Sequence, residues 1–131
     1  MKTASNLIFA AIVLQLAASA PAAAVVCPSD RSGAYLWSLA QIEGNDDSAR
    51  GGRYCIMRHE WVKFSTLPYS ACHDAGQAAP VVVAIVEFYT HKPISQVTPF
   101  EFAKAFHCPY ARQMNREQRD YVQRFENLAR R

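Results

Sequence analysis

Leu36-Trp37-Ser38-Leu39-Ala40-Gln41-Ile42-Glu43-Gly44-Asn45 is the stretch on which the reading of this chain turns. Leu36, Leu39, Ala40 and position 43 recur at the three, four and seven spacing that places side chains on one face of a helix. Asp30 or Ser32 can cap the helix upstream. Gly44 and Asn45 are the residue types that end a helix in a left-handed turn. The helical pattern therefore runs to Glu43 and stops there. It puts a carboxylate in the position where the apolar face calls for a core residue.

Outward from this helix the pattern predicts short elements with plain stop signals. Asp46 to Gly52 is polar and glycine-rich, and Arg53 to Met57 alternates like a short strand or extended segment. His59 to Phe64 reads as one or two helical turns that carry Trp61 and Phe64 inward. Val81 to Tyr89 suits a helix with Pro80 in its first turn or a buried strand, since an unbroken β-branched run fits both. Thr98, Pro99 and Glu101 form a capping box with proline at the first helical position, and that helix carries Phe102 and Phe106 and stops by Pro109. Asn115 and Gln118 make a second box. After it, Tyr121, Val122, Phe125, Leu128 and Ala129 give the last helix an apolar stripe, with Arg116, Arg119, Arg124 and Arg130 mainly off it as a solvated face. No internal repeat and no glycine-rich strand-to-helix turn for a nucleotide cofactor occurs.

The first residues point to export. Lys2, an apolar run from Leu7 to Ala18 and a tail rich in Ala, Ser and Pro have the layout of a cleavable secretory signal. Ala22 and Ala24 favour cleavage before Val25, and Ala18 and Ala20 offer an earlier cut that would leave Pro21 first. A lipid-anchored start at Cys27 is the alternative, and Val26 fits it poorly. The apolar run is shorter than the ~20 residues of a spanning helix, so no membrane anchor is expected. Residues 1–24 are thus read as signal and residues 25–131 as one domain, secreted or periplasmic, with a single core. The net charge of the whole chain is +3. So mild a value gives no case for a nucleic-acid partner.

The four cysteines, Cys27, Cys55, Cys72 and Cys108, all follow the signal, and an even count in an exported chain reads as two disulfides. Three pairings are open. Cys55 with Cys72 closes the shorter loop, and Cys27 with Cys108 ties the ends together. Zinc is the rival, because Cys55 and His59 lie four apart and Cys72 adjoins His73, but no paired CxxC or HxxxH accompanies them and no metal is expected.

A carboxylate on a buried stripe loses hydration, and a helix C-terminus adds the negative end of the dipole. Both favour the protonated acid, so the Glu43 pKa is expected to rise. A carboxylic acid that keeps its proton near neutral pH is what glycoside cleavage requires at the leaving oxygen. The plainer alternative is a glutamate at a frayed helix end that points into water.

Four short strings in order add to this. Gln41-Ile42-Glu43-Gly44-Asn45 resembles the "ESGGN" or "ESGN" segment of lytic transglycosylases and lysozyme-like proteins. Gly52-Arg53-Tyr54-Cys55-Ile56-Met57, with Trp61 after it, is similar to their "GxxQIMPxxW" segment. Ala105-Phe106-His107-Cys108-Pro109 resembles "AYNAGP", and Tyr121-Val122-Gln123-Arg124 resembles the closing "YVxR".

The resemblance implies a mainly α, lysozyme-like α+β fold, in which a short extended segment or hairpin forms one wall of a sugar cleft. It implies Glu43 as catalytic acid, with Asn45, Tyr54, Ile56, His107 and Tyr121 as substrate-binding residues, peptidoglycan or a related glycan as partner, and no cofactor. One glutamate serves the transglycosylase route, whereas hydrolysis ordinarily uses a second carboxylate, for which Asp46 and Asp47 are the candidates. The chain departs from the family where Cys55 replaces glutamine, His107 replaces asparagine, and Gly44 directly follows the glutamate. Two alternatives stand beside this reading, the first motivated by the missing glutamine and asparagine and the second by coincidence of the motif matches. One is a lysozyme-like domain that binds glycan or protein without cutting. The other is a small disulfide-braced effector or inhibitor, favoured if Glu43 lies outside any groove.

Overall fold

The computed structural model describes residues 31–131. The signal reading, Cys27 and the Asp30 cap lie outside the described residues. Five α-helices follow one another: α1 (Arg31–Glu43), α2 (Arg58–Phe64), α3 (Ala75–Thr90), α4 (Pro99–His107) and α5 (Arg116–Ala129). Single 3-10 turns at Gly52–Tyr54, Tyr69–His73 and Ile94–Gln96 connect them, and no strand occurs among the described residues. The mainly helical class read from the sequence is therefore the one observed.

Local chemistry explains most boundaries. Thr98 Oγ1 accepts from the Glu101 N–H while Glu101 returns a bond to the Thr98 N–H, and Asn115 and Gln118 repeat the exchange. Both pairs satisfy orphan donors at a helix start. At the end of α1, Gly44 has φ 99° and Asn45 φ 52°, and the Asn45 N–H returns to the Ala40 carbonyl at 2.8 Å. This is the left-handed stop that the Gly-Asn pair predicts.

Two expectations are corrected. Val81 to Tyr89 is helical, but α3 begins at Ala75, capped by Asp74, whose Oδ1 accepts from the Gly76 and Gln77 N–H groups. Pro80 thus sits inside the helix, not in its first turn. The extended wall from Arg53 to Met57 is instead a tight turn. Cys55 N–H bonds Gly52 O and Ile56 N–H bonds Gly51 O, so these two backbone donors close the turn instead of joining a ladder. Gly52 makes the turn possible. Its φ is +70°, and a Cβ there would lie 1.9 Å from the Cys72 carbonyl oxygen.

The core lies where α3, α4 and α5 pack on α1. Phe102 and Phe125 stack with centroids 5.0 Å apart, and Tyr35 tilts against both while its hydroxyl donates to Val97 O at 2.8 Å. Trp61 is wholly buried, with its indole N–H on Leu67 O at 2.8 Å. Each large side chain sealed here contributes about 1.5–3 kcal/mol by area removed from water. The packing of α1 on α5 brings the C-terminal end of the first helix to the last one.

Candidate functional site

Glu43 is half-buried at the end of α1, and its Oε1 accepts the Tyr121 hydroxyl at 2.7 Å across 78 residues of chain. Tyr121 comes from the buried stripe of α5 and is 5% exposed. Burial, and then the negative charge of Glu43, push its phenol far above the usual tyrosine range. The hydroxyl therefore stays a donor at every working pH, which fixes Oε1 as acceptor. Among the described residues nothing bonds Oε2, and it is not among the sealed oxygens.

His107, exposed in the last turn of α4, stacks on the Tyr121 ring. Its ring lies 3.8 Å from that of Tyr121 with the planes 9° apart. Cys55 enters from the tight turn, where it adopts φ 50° although it is not glycine, and its thiol donates to the Glu43 carbonyl at 3.6 Å. Among the described residues Tyr121 alone reaches the carboxylate, while His107 joins through the Tyr121 ring and Cys55 through the Glu43 backbone carbonyl. Three of the residues that the motifs single out, Glu43, His107 and Tyr121, are brought together.

Comparison with known proteins finds no matching family model, no matching curated relative and no matching solved structure.

The other expected site residues are placed differently. Ile56 is 1% exposed and packs in the core, so it offers no surface to a ligand at Glu43. Tyr54 and Asn45 instead line a groove of about 950 Å³ between α1 and α3. Gln41 and Asn45 line that groove but Glu43 itself does not, which is the placement that the effector or inhibitor alternative calls for. Asp46 and Asp47 are occupied by their own loop. Asp46 accepts from the Ser48 hydroxyl and N–H, which holds its carboxyl below the usual range, and Asp47 forms a two-point pair with Arg53 at 2.9 and 3.0 Å.

The disulfide expectation is corrected for the described cysteines: Cys55, Cys72 and Cys108 are all free thiols. Cys72 and Cys108 are buried, and burial pushes all three pKa values up, so the thiolate needed for exchange is scarce. Among the described residues no three His, Cys, Asp or Glu gather as a metal site, and no helix is long and apolar enough to cross a membrane.

A second carboxylate cluster gave no sign in the sequence. Glu60 in the first turn of α2 accepts the Tyr89 hydroxyl on Oε1 at 2.9 Å, and Tyr89 meets the Tyr110 hydroxyl at 2.9 Å. Lys63 lies over Phe88 at 3.9 Å and over Phe64 and Tyr89 at about 5 Å. The partners are 21 and 29 residues apart. No local pattern encodes such a meeting.

Proposed function

We propose that this protein cleaves the glycan strands of bacterial cell wall by a lytic transglycosylase-like route with Glu43 as its single acid and base. The observation that supports this most is the convergence of Glu43, Tyr121 and His107, which the ordered motifs single out independently of any contact between them.

In this reading Glu43 carries its proton on Oε2, because Oε1 is held by Tyr121. The proton passes to the glycosidic oxygen as the C1–O4 bond breaks, and the departing sugar leaves with a hydroxyl. The remaining sugar becomes an oxocarbenium ion beside the new carboxylate. Glu43 then takes the proton of the muramic acid 6-hydroxyl, and O6 closes on C1. The products are one shortened strand and one 1,6-anhydro end. No water is consumed, and Glu43 is protonated again. The route asks for no second carboxylate, which agrees with Asp46 and Asp47 being engaged within their loop. His107, exposed on the Tyr121 ring, is the polar group placed to meet the substrate from the α4 side.

The test is incubation of purified peptidoglycan with wild type and with Glu43→Gln. Release of soluble muropeptides by wild type alone is expected; equal release by both ends the enzymatic reading. One observation favours a domain that holds glycan without cutting it: the Cys55 thiol turns to a backbone carbonyl, where the family's glutamine would offer an amide to the ligand. Cosedimentation with peptidoglycan and no soluble product at any pH between about 4 and 8 would select that second reading.

A further inference from the structure

The groove between α1 and α3 has an α1 wall that is not that of an ordinary helix packing face. Trp37 stands on it 52% exposed, with no aromatic or cationic partner among the described residues. Gln41 follows one turn later and Asn45 after a similar interval, both exposed and both lining the groove. At 1.5 Å per residue the step from Trp37 to Gln41 within α1 is about 6 Å, close to the length of one pyranose ring, and Asn45 follows in the left-handed turn past the helix end. A flat indole and two amides in a row offer an apolar face followed by paired donors and acceptors.

The floor adds a further acceptor. Pro80 lies inside α3 and has no N–H, so the Gly76 carbonyl lacks its donor four residues on, and both residues line the groove. The apolar lining comes from both helices, Leu36 and Ala40 of α1 and Ala79, Val83 and Ala84 of α3. Such apolar side chains bordered by amides, with Arg53, Asp74 and Glu87 also on the lining, match a saccharide, which has C–H faces and a hydroxyl rim. A packed partner helix would have no use for that polar row.

We infer that the α1/α3 groove is a saccharide-binding site in which a sugar ring stacks on Trp37 while Gln41 and Asn45 hold its neighbours. This deepens the proposed cleavage and rests on it for the identity of the sugar polymer. Trp37 then carries affinity and no chemistry. Its loss raises KM and leaves kcat unchanged on a saturating polymer.

The two tryptophans of the chain make the test direct, since Trp61 is wholly buried and only Trp37 faces solvent. Glu43→Gln protein, which does not cut, is titrated with a soluble peptidoglycan tetrasaccharide, and tryptophan emission and acrylamide quenching are followed. A saturable blue shift with protection from quenching is expected. Calorimetry on Glu43→Gln also carrying Trp37→Ala is expected to show affinity about three- to tenfold weaker. Gln41→Ala, a milder exposed change, is expected to weaken binding in the same direction.

Binding with no change in Trp37 emission and no loss in either variant overturns the groove assignment and leaves the Glu43 reading standing. A Trp37 response in a protein whose wild type releases nothing from peptidoglycan supports the groove and sinks the cleavage. An emission shift that follows protein concentration without sugar assigns the groove to a second copy and overturns the proposal. So does the absence of any saccharide binding.

Discussion

Glu43 and Glu60 each accept a tyrosine hydroxyl on Oε1, from Tyr121 at 2.7 Å and from Tyr89 at 2.9 Å, yet their second oxygens live in different surroundings. Glu60 Oε2 is sealed from solvent and has no hydrogen-bond partner among the described residues. Tyr89, which donates to this carboxyl, in turn meets the Tyr110 hydroxyl and lies under Lys63. Glu43 sits at a helix end opened by Gly44, where Oε2 is neither bonded nor sealed. The same tyrosine contact therefore serves two purposes. At Glu60 it is part of the packing; at Glu43 it holds one oxygen of a group whose other oxygen is left open.

The largest expected contrast comes from the paired amide substitutions. Glu43→Gln should lower muropeptide release at least ~100-fold, the scale of a lost general acid. Glu60→Gln should leave release unchanged while matching or exceeding wild-type stability by about 1 kcal/mol in urea melts, because it removes a buried charge with an unsatisfied oxygen. Inactivation of both variants alike would break the comparison.

Removing the two hydroxyls sharpens it. Tyr89→Phe leaves the Glu60 carboxylate buried with one donor fewer, so a loss of about 1–3 kcal/mol is expected in denaturant titration, with activity retained. Tyr121→Phe is expected to cost only about 1 kcal/mol, since water can replace the donor at Glu43, but to lower kcat through the lost orientation of Oε1.

A smaller effect concerns alkaline pH. Tyr121 and Tyr89 are raised above the unfolded tyrosine value of 10.0, first by burial and then by the neighbouring glutamates and hydroxyl. Between the unfolded and folded values the native state holds more protons than the unfolded chain. Stability from these groups is thus fully present below about pH 10 and falls as pH rises above it. Thermal melts from pH 8 to 11 should show that decline, and Tyr121→Phe should flatten it. An unchanged slope in the variant would mean that Tyr121 titrates normally.

What was legible in the sequence was local. The boxes at Thr98–Glu101 and Asn115–Gln118, the Gly44-Asn45 stop and the inward Trp61 all depend on residues within a few positions of one another. Alternation misled between Arg53 and Met57, because Tyr54 and Ile56 do point inward, but a turn built on Gly51 and Gly52 brings them there. Pro80 drew the expected start of α3 too far along, and the Asp74 cap six residues earlier went unread.

At the site, ordered motifs identified Glu43, His107 and Tyr121 but not their contacts. They also set Ile56 on a cleft wall, although it is core. The α1/α3 groove and the Glu60 cluster had no sequence signal, since each is made by helices that meet only in three dimensions.

The mass of the released ends tests the single-glutamate account most directly. Digestion of purified peptidoglycan followed by mass spectrometry should give muropeptides one water lighter than hydrolytic products, and none with Glu43→Gln. Hydrated ends from wild type would show that a second group activates water, contradicting a site in which Glu43 acts alone.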